Sequence, residues 1–371
     1  MPRVLILTAS VGEGHDLPAR TLAAQLRDER SDVEVVTEDG LAPMGRLIKW
    51  ISADSGRIVF FRFQWLWDVG FWFFAVFRPT RALTQALLAK VGGGGLMRLI
   101  ERVDPDVIVS TYPNTTEVLG RLRRSRRIRV PVCSAITDLS ALRYWASPGI
   151  DIHLVAYPQS VDEVRMIAGQ ATRVFAVQGL TAPEFLAPRS QIDARRELNL
   201  PAGKVVLVSG GGWGVGDLEG AVQAALAESA VTCVVCLCGR NAGLEARLSY
   251  LFSSNARVRV VGFTDQMSEW MAAADVLVHS TGGLTVLEAF MRGLPAISYG
   301  WGRGHLRLNN SAFTRFGLAE VVLNPGGLRA AMRQALARER ASAEEFRTLP
   351  SAASFVLAAA QTGGGSLRAQ S

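Results

Sequence analysis

The sequence predicts an α/β protein composed of two doubly wound, Rossmann-like halves that face a cleft. Short, continuously apolar segments alternate along the chain with segments whose apolar residues recur at helical spacing. This pattern starts at residues 4–7 and again at residues 204–208, and both times it leads into a glycine-containing loop and a helix. Continuously apolar strands between helices indicate a parallel sheet that is covered on both faces.

The predicted strands form two series, one in each half. They lie at residues 4–7, 33–36, 107–110, 130–136 and 152–156, and then at 204–208, 233–237, 258–261, 276–279 and 296–299. We expect an N-terminal domain over residues 1–178 and a C-terminal domain over residues 179–340. Residues 341–371 form a tail whose weakly apolar helix could return to the N-terminal domain.

The length and composition exclude several classes of protein. A chain of 371 residues is long enough for two domains. With 49% hydrophobic and 20% charged residues, it is too apolar to be disordered. No segment combines the roughly 20 apolar, uncharged residues of a transmembrane helix, and the apolar run at residues 4–7 is too short for a signal peptide. Four cysteines are too few for a disulfide framework, so we expect a cytoplasmic protein.

The first glycine-containing loop, residues 8–15, indicates acid–base chemistry. A dinucleotide fingerprint requires a third glycine where Leu17 stands, which disfavours an NAD-dependent oxidoreductase, and the Gly-Lys-Ser/Thr of a P-loop is absent. The loop ends in His15, at the edge of a sheet where ligands bind. An imidazole there can accept a proton from a substrate hydroxyl at neutral pH. The alternative is a histidine that caps or packs the helix.

Two further loops indicate an anionic ligand in the second half. Residues 210–216 contain five glycines, and residues 280–283 read Ser-Thr-Gly-Gly. Glycines let the backbone approach a ligand closely, and the N–H groups at the start of the following helix attract phosphate. Together the loops favour a nucleotide diphosphate, with Glu288 placed to accept hydrogen bonds from ribose hydroxyls. Each loop alone is also compatible with an ordinary strand-to-helix turn.

A series of ordered motifs resembles that of GT-B-type glycosyltransferases related to monogalactosyldiacylglycerol synthase, bacterial diacylglycerol glucosyltransferases and, more distantly, MurG. The resemblance covers most of the chain. The motifs are, in order, Gly12-Glu13-Gly14-His15; Thr137-Asp138-Leu139 with Trp145 and Pro148-Gly149; residues 209–216; Gly262-Phe263-Thr264-Asp265-Gln266-Met267; residues 280–288 with Arg292-Gly293-Leu294-Pro295; and Gly304-His305 with Asn309.

The resemblance implies a UDP-sugar donor in the C-terminal half and a lipid acceptor, with diacylglycerol the leading candidate, in the N-terminal half. It implies His15 as the general base on the acceptor hydroxyl, Gly14 beside the acceptor, and Asp138 assisting or orienting the base. A single displacement would then invert the anomeric centre, with no metal ion or cofactor. The implied donor-binding residues are Gly211, Gly212, Trp213, Thr281, Gly282 and Gly283 around the diphosphate, Glu288 at the ribose, Phe263 and Met267 at the uracil, and His305 and Asn309 at the sugar.

Two departures from the family pattern leave the sugar and the acceptor open. Related enzymes usually carry Gln followed by an acidic residue or a second Gln at the sugar contact, whereas here His305 is followed by Leu and Arg. A histidine that is common after Asp138 is replaced by Arg143 or Tyr144. The alternatives are a UDP-sugar epimerase of the same fold, and transfer to a polyprenyl-linked or small-molecule acceptor.

An aromatic segment and a run of arginines predict attachment to an anionic membrane surface. Ten of the 29 aromatic residues lie between Phe60 and Phe77. Arg62 and Asp68 would each cost about 2.5–3.5 kcal/mol at the centre of a bilayer, so this segment is expected to lie in the interface. Six arginines between residues 121 and 129 would contribute about 1 kcal/mol each near anionic lipids. The predicted membrane residues are Trp65, Trp67, Trp72, Arg123, Arg124, Arg126 and Arg127.

The alternatives for these two segments are an aromatic core helix or dimer contact, and a solvated helix face. Nucleic acid binding is disfavoured because no aromatic residues interleave the arginines. The predicted function is an inverting, UDP-sugar-dependent glycosyltransferase, attached peripherally to the cytoplasmic face of the cell membrane. A non-catalytic membrane-binding scaffold is the alternative outside the enzymes.

Overall fold

Two parallel six-stranded sheets organise the chain. The computed structural model describes residues 1–9, 13–50, 69–70, 72–73, 77–300, 305–340 and 344–367. The chain divides into two units, unit 1 comprising Met1–Ala182 with Thr348–Ser371, and unit 2 comprising Pro183–Arg347. Each unit contains one sheet, with helices between successive strands. The predicted α/β fold class is therefore confirmed.

Unit 1 is built on six parallel strands. They are β1 Arg3–Thr8, β2 Glu34–Asp39, β3 Val107–Ser110, β4 Val132–Ile136, β5 Ile152–Val155 and β6 Arg173–Ala176. Their order in the sheet is β2-β1-β3-β4-β5-β6. Strands β3, β4 and β5 are buried along their whole length, as expected for apolar strands covered on both faces. The helices between them are α1 Glu13–Glu29, α2 Arg46–Lys49, α3 Arg78–Val103, α4 Pro113–Arg124, α5 Leu142–Trp145 and α6 Val161–Ala168.

Unit 2 repeats this arrangement. Its strands are β7 Lys204–Ser209, β8 Val231–Leu237, β9 Val258–Val261, β10 Val276–His279, β11 Ala296–Tyr299 and β12 Glu320–Val322, in the order β12-β11-β10-β7-β8-β9. Its helices are α7 Gln191–Glu197, α8 Leu218–Leu226, α9 Ala242–Leu251, α10 Met267–Ala273, α11 Gly283–Met291, α12 His305–Phe316, α13 Pro325–Ala337 and α14 Glu344–Arg347. Three of these helices are capped at their N-termini by the residue that precedes them: Asp217, Asn241 and Asn324. The side chain of each capping residue accepts a hydrogen bond from the backbone N–H three residues further on.

The last helix belongs to unit 1. This helix, α15 Ala352–Leu367, packs against α1 and β3. A parallel bridge joins Gln178 to Ser351, and the ring of Phe355 stacks on Phe175 with 4.3 Å between the centroids. Among the described residues, no helix combines the length and the apolar character needed to cross a membrane.

Candidate active site

Three threonines at the ends of adjacent strands hold the turn that carries His15. The hydroxyls of Thr8, the last residue of β1, and Thr111, directly after β3, both donate to the carbonyl of His15 at 3.1 Å. Thr137, after β4, donates to the carbonyl of Gly14 at 3.4 Å. That carbonyl lacks its usual donor within the helix because Pro18 has no N–H. The first turn of α1 is therefore fixed at the carboxyl edge of the sheet, where ligands of such sheets bind.

A hydrogen bond sets the tautomer of the His15 imidazole. Nδ1 lies 3.1 Å from the carbonyl oxygen of Thr111. A carbonyl can only accept, so Nδ1 carries the proton and Nε2 keeps its lone pair. The half-buried ring lies edge-on to Tyr112, with centroids 4.9 Å apart, and 5.4 Å from the ring of Trp145. This side chain is oriented to accept a proton at Nε2.

The structure connects Asp138 to His15 through Trp145. The indole Nε1–H donates to Asp138 Oδ2 at 3.1 Å, and the indole ring then packs beside the imidazole. The predicted orienting role of Asp138 can therefore operate through this ring. Trp145 belongs to the same sequence motif as Asp138 but was not among the predicted site residues. Its position seven residues after the aspartate was the available signal.

Two tyrosines lie in this part of unit 1: Tyr112, which contacts His15 and was not predicted, and Tyr144, one of the two residues considered in place of the family histidine. Tyr144 donates its hydroxyl to Asn114 Oδ1 at 2.9 Å. Burial raises the pKa of Tyr144 to about 12 and raises that of Tyr112 well above its usual value. Both phenols therefore remain protonated and can donate hydrogen bonds at neutral pH. Arg143 is exposed, whereas Tyr144 is hydrogen-bonded within unit 1.

In unit 2, the two predicted anion-binding loops pack directly on each other. Gly211, in a 3₁₀ turn spanning Gly211–Trp213, has φ +64°, and a Cβ there would lie 2.7 Å from Thr281 Cγ2. Gly216 has φ +100°, and a Cβ there would overlap the side chain of Ser280. Glycine is required at both positions, by the backbone conformation and by the contact between loops. The structure therefore brings the residues predicted around the diphosphate together.

The N–H groups of two loop residues are already engaged. Gly211 donates to Ser209 Oγ at 3.2 Å, and Thr281 donates to His279 Nδ1 at 3.2 Å. Backbone N–H groups for an anion must therefore come from neighbouring residues and from the start of α11. That helix begins at Gly283 after Gly282, and its first turn contains no acidic side chain. Glu288 lies further along α11 and is buried.

The residues predicted at the uracil and the sugar also lie in unit 2. Phe263 is 50% exposed, and the guanidinium of Arg240 lies 3.7 Å from its ring centroid. The Arg240 N–H donates to the carbonyl of Gly212 at 2.9 Å, which ties this pair to the first loop. Met267 is the first residue of α10. Helix α12 begins at His305 and carries the buried Asn309. Arg240 was not predicted, although it follows a predicted strand in a Gly-Arg-Asn sequence.

Comparison with known proteins shows that each half of the chain is similar to glycosyltransferases. The family model of monogalactosyldiacylglycerol (MGDG) synthase matches residues 15–180, and that of the glycosyltransferase family 28 C-terminal domain matches residues 205–359. The chain is a glycosyltransferase. The processive diacylglycerol beta-glucosyltransferase of Staphylococcus aureus (strain MRSA252) is 28% identical to it over 326 residues, which are 87% of this chain and 82% of that protein.

Solved structures share the fold of the glycosyltransferase. MurG of Acinetobacter baumannii has a TM-score of 0.61 at 16% identity, over 98% of this chain and 100% of that one. UGT89C1 of Arabidopsis thaliana, solved in complex with UDP, has a TM-score of 0.60 at 14% identity, over 98% of this chain and 100% of that one. The predicted resemblance is therefore confirmed at the level of both sequence and fold.

The predicted membrane residues of the glycosyltransferase have different surroundings. Trp65 and Trp67 lie outside the described residues. Trp72 is 53% exposed and stacks on Phe77, with centroids 5.2 Å apart. Three of the four predicted arginines, Arg124, Arg126 and Arg127, are exposed.

Arg123 has an internal role instead. Its guanidinium bonds Asp151 at 2.9 and 3.1 Å and also donates to the carbonyls of Ile128 and Arg129. These contacts tie the turn after α4 to the loop before β5. The membrane assignment is corrected for this residue, because its charge is paired within unit 1.

Proposed function

We propose that the glycosyltransferase transfers a hexose from a UDP-sugar to the hydroxyl of a membrane lipid with inversion, and that the lipid is diacylglycerol. The observation that carries this proposal is the bond between His15 Nδ1 and the Thr111 carbonyl at 3.1 Å. It leaves Nε2 as the proton acceptor that an alcohol nucleophile requires. The S. aureus relative, named for the same class of acceptor, supports the choice of diacylglycerol.

The reaction is a single displacement. His15 Nε2 removes the proton of the acceptor hydroxyl while the oxygen forms a bond to the anomeric carbon of the sugar. The bond between that carbon and the phosphate oxygen breaks, and UDP leaves with the electron pair. The resulting imidazolium lies beside the Trp145 ring, whose N–H is held by Asp138. An aromatic face favours the cationic form, so this pair stabilises the base after it has taken the proton.

Unit 2 supplies the groups that a UDP-sugar requires. The start of α11 offers backbone N–H groups and the positive end of the helix dipole to the diphosphate. The negative charge that develops on departing UDP would be stabilised there without a metal ion. The half-exposed ring of Phe263 offers a stacking surface for uracil, and Glu288 offers a carboxylate to the ribose.

An apolar stripe on α3 supports attachment to a membrane. Leu83, Leu87 and Val91 are 71%, 58% and 58% exposed and recur every four residues, which places them on one face of the helix. Lys90 and Arg98 on the same helix are exposed as well. An exposed apolar stripe flanked by basic residues fits an anionic lipid surface better than it fits water. We therefore propose peripheral attachment, at the cytoplasmic face of the cell membrane.

The test is a matrix of UDP-sugars against lipids, with UDP release and glycolipid formation measured together. We expect glycolipid from diacylglycerol with one or more UDP-hexoses, and a product of inverted anomeric configuration. His15→Ala should reduce kcat by about 10²–10⁴-fold, the usual contribution of a positioned general base, while UDP binding measured by calorimetry stays unchanged.

Other outcomes would replace the proposal. Full glycolipid synthesis by His15→Ala would remove His15 from the mechanism. Interconversion of UDP-sugars without any lipid would indicate an epimerase. Transfer to a polyprenyl phosphate or a soluble alcohol, but not to diacylglycerol, would reassign the acceptor.

A further inference from the structure

A row of three polar side chains crosses the sheet of unit 2 at the ends of its central strands. In the strand register, His279 of β10 lies between Ser209 of β7 and Ser298 of β11. All three are at most 3% exposed. Their neighbours Val208 and Val278 belong to the apolar core on one face of the sheet. Because side chains alternate between the faces of a strand, the polar row lies on the other face.

Each member of the row holds a different element. Ser209 Oγ accepts from the N–H of Gly211 at 3.2 Å, in the first glycine-rich loop. His279 Nδ1 accepts from the N–H of Thr281 at 3.2 Å, in the second loop, and lies 3.0 Å from its hydroxyl. Ser298 Oγ donates to Asn310 Oδ1 at 2.6 Å, on the helix that begins at His305. The three elements are those in which the donor-binding residues were predicted.

The imidazole of His279 is an unusual choice for a core position. Since Nδ1 accepts from Thr281, the proton of the neutral ring is on Nε2, and this buried N–H has no hydrogen-bond partner among the described residues. The ring contacts Phe313, at 6.1 Å between centroids. A buried donor without a partner is destabilising, so an apolar side chain of similar size would favour folding more. The contribution of the imidazole is the position that it imposes on Thr281.

We propose that His279 is a positioning residue of the donor site: it fixes the Thr281 loop and, with Ser209 and Ser298 on either side, sets the spacing of the three elements that contact the nucleotide diphosphate sugar. This inference rests on the proposed UDP-sugar specificity. It does not require His279 to touch the donor.

Three substitutions test the proposal with UDP as the probe and the full chain as the protein. His279→Asn keeps an acceptor oxygen close to the place of Nδ1, whereas His279→Gln moves it one bond outwards and His279→Leu removes it. We expect His279→Leu and His279→Gln to raise the Kd for UDP about ten-fold, the factor that corresponds to about 1.4 kcal/mol, and His279→Asn to raise it less than about three-fold. The melting temperature of the Leu variant should equal or exceed that of the wild type.

Two results would overturn the proposal. One is a folded Leu variant that binds UDP with the wild-type Kd. The other is equal UDP affinity of the Asn and Gln variants, a comparison that stands even where the Leu variant does not fold. A separate measurement needs no ligand: amide hydrogen exchange at Thr281 should be faster in the Leu or Gln variant than in the Asn variant, and equal rates would contradict the positioning role. A wild-type protein that does not bind UDP would contradict the proposed donor instead, and the exchange measurement would still decide on His279.

Discussion

Two buried histidines should make the free energy of unfolding depend on pH. His153 and His279 are 0% and 1% exposed, and burial lowers the pKa of each to about 4. The pKa of histidine in an unfolded chain is about 6.5. Between these values the unfolded chain binds protons that the folded chain does not, so the free energy of unfolding falls as the pH falls. The stabilisation is complete above about pH 6.5 and is lost progressively down to about pH 4.

The size of this loss in the free energy of unfolding follows from the pKa shift of each histidine and from its local contacts. A pKa difference of about 2.5 corresponds to about 3 kcal/mol for each histidine. In unit 1, Nε2 of His153 donates to the carbonyl of Ser147 at 3.3 Å, and its Nδ1 bonds the Ser134 hydroxyl. The neutral ring is therefore fully hydrogen-bonded, and protonation would add a buried charge without a counter-ion in these contacts. A loss of about 3 kcal/mol is large against the roughly 5–15 kcal/mol that separate folded from unfolded domains.

Urea unfolding between about pH 7 and pH 4.5 measures this effect. His153→Asn and His279→Asn remove the titrating groups while keeping a polar acceptor in each place. Each variant should make the unfolding of its own unit less dependent on pH. His153→Asn should have this effect on unit 1, and His279→Asn should have it on unit 2. Carboxylates are common to all the proteins, so the differences isolate the histidines. The reasoning would be refuted if the free energy of unfolding changed with pH by the same amount in the wild type and in both variants.

Three further predictions follow from the same structure. Trp145→Phe keeps a ring beside His15 but loses the bond to Asp138, worth about 1 kcal/mol, so kcat should fall about five-fold with an unchanged Kd for UDP; an unchanged kcat would contradict the link. The double substitution Leu83→Glu and Leu87→Glu should reduce binding to phosphatidylglycerol vesicles at least about ten-fold. The control Ile192→Glu, on an exposed face of unit 2, should leave vesicle binding unchanged. Equal losses of binding in both proteins would show that the apolar stripe is not a membrane contact. Gly216→Ala should destabilise unit 2 by about 1–3 kcal/mol in urea unfolding and weaken UDP binding, and wild-type behaviour would show that the loops do not need this contact.

Most of the strands could be predicted from their apolar residues, including the partly exposed edge strands β2 and β9. Continuous apolar runs identify β1, β3, β4 and the central strands of unit 2. The edge strands β6 and β12 were missed: β12 is only three residues long, and the apolar run at residues 174–177 was not interpreted as a strand. Helix α3 gave no prediction either, since it contains four consecutive glycines, Gly92–Gly95, which are unfavourable in helices. Packing overrides this preference: a Cβ at Gly92 would lie 2.8 Å from Met44, and one at Gly95 would overlap the carbonyl of Pro43.

Motifs indicate candidate reacting and binding residues, but they do not indicate the residues that hold these candidates in place. His15 stands in a recognisable loop, yet its neighbour Thr111 is 96 residues away in the sequence. Arg123 shows the reverse case, because six arginines within nine residues suggested a surface patch and one of them is paired with Asp151. Which strand ends become neighbours depends on the order of strands in the sheet. That order is a property of the whole unit and is not encoded in any local pattern.

In both sheets, side chains at the ends of strands hold the neighbouring loop or helix by hydrogen bonds. These side chains donate the hydrogen bonds in unit 1 and accept them in unit 2. In unit 1, hydroxyls at the strand ends, those of Thr8 and Thr111, donate to a carbonyl of the first helical turn. In unit 2, Ser209 and His279 accept from loop N–H groups. The first arrangement fixes the helix that carries the proposed base, and the second fixes the loops of the proposed diphosphate site. Since all these anchors lie at or next to the last residues of strands, a substitution that shifts a strand by one residue should impair catalysis or donor binding without any change in the motifs themselves.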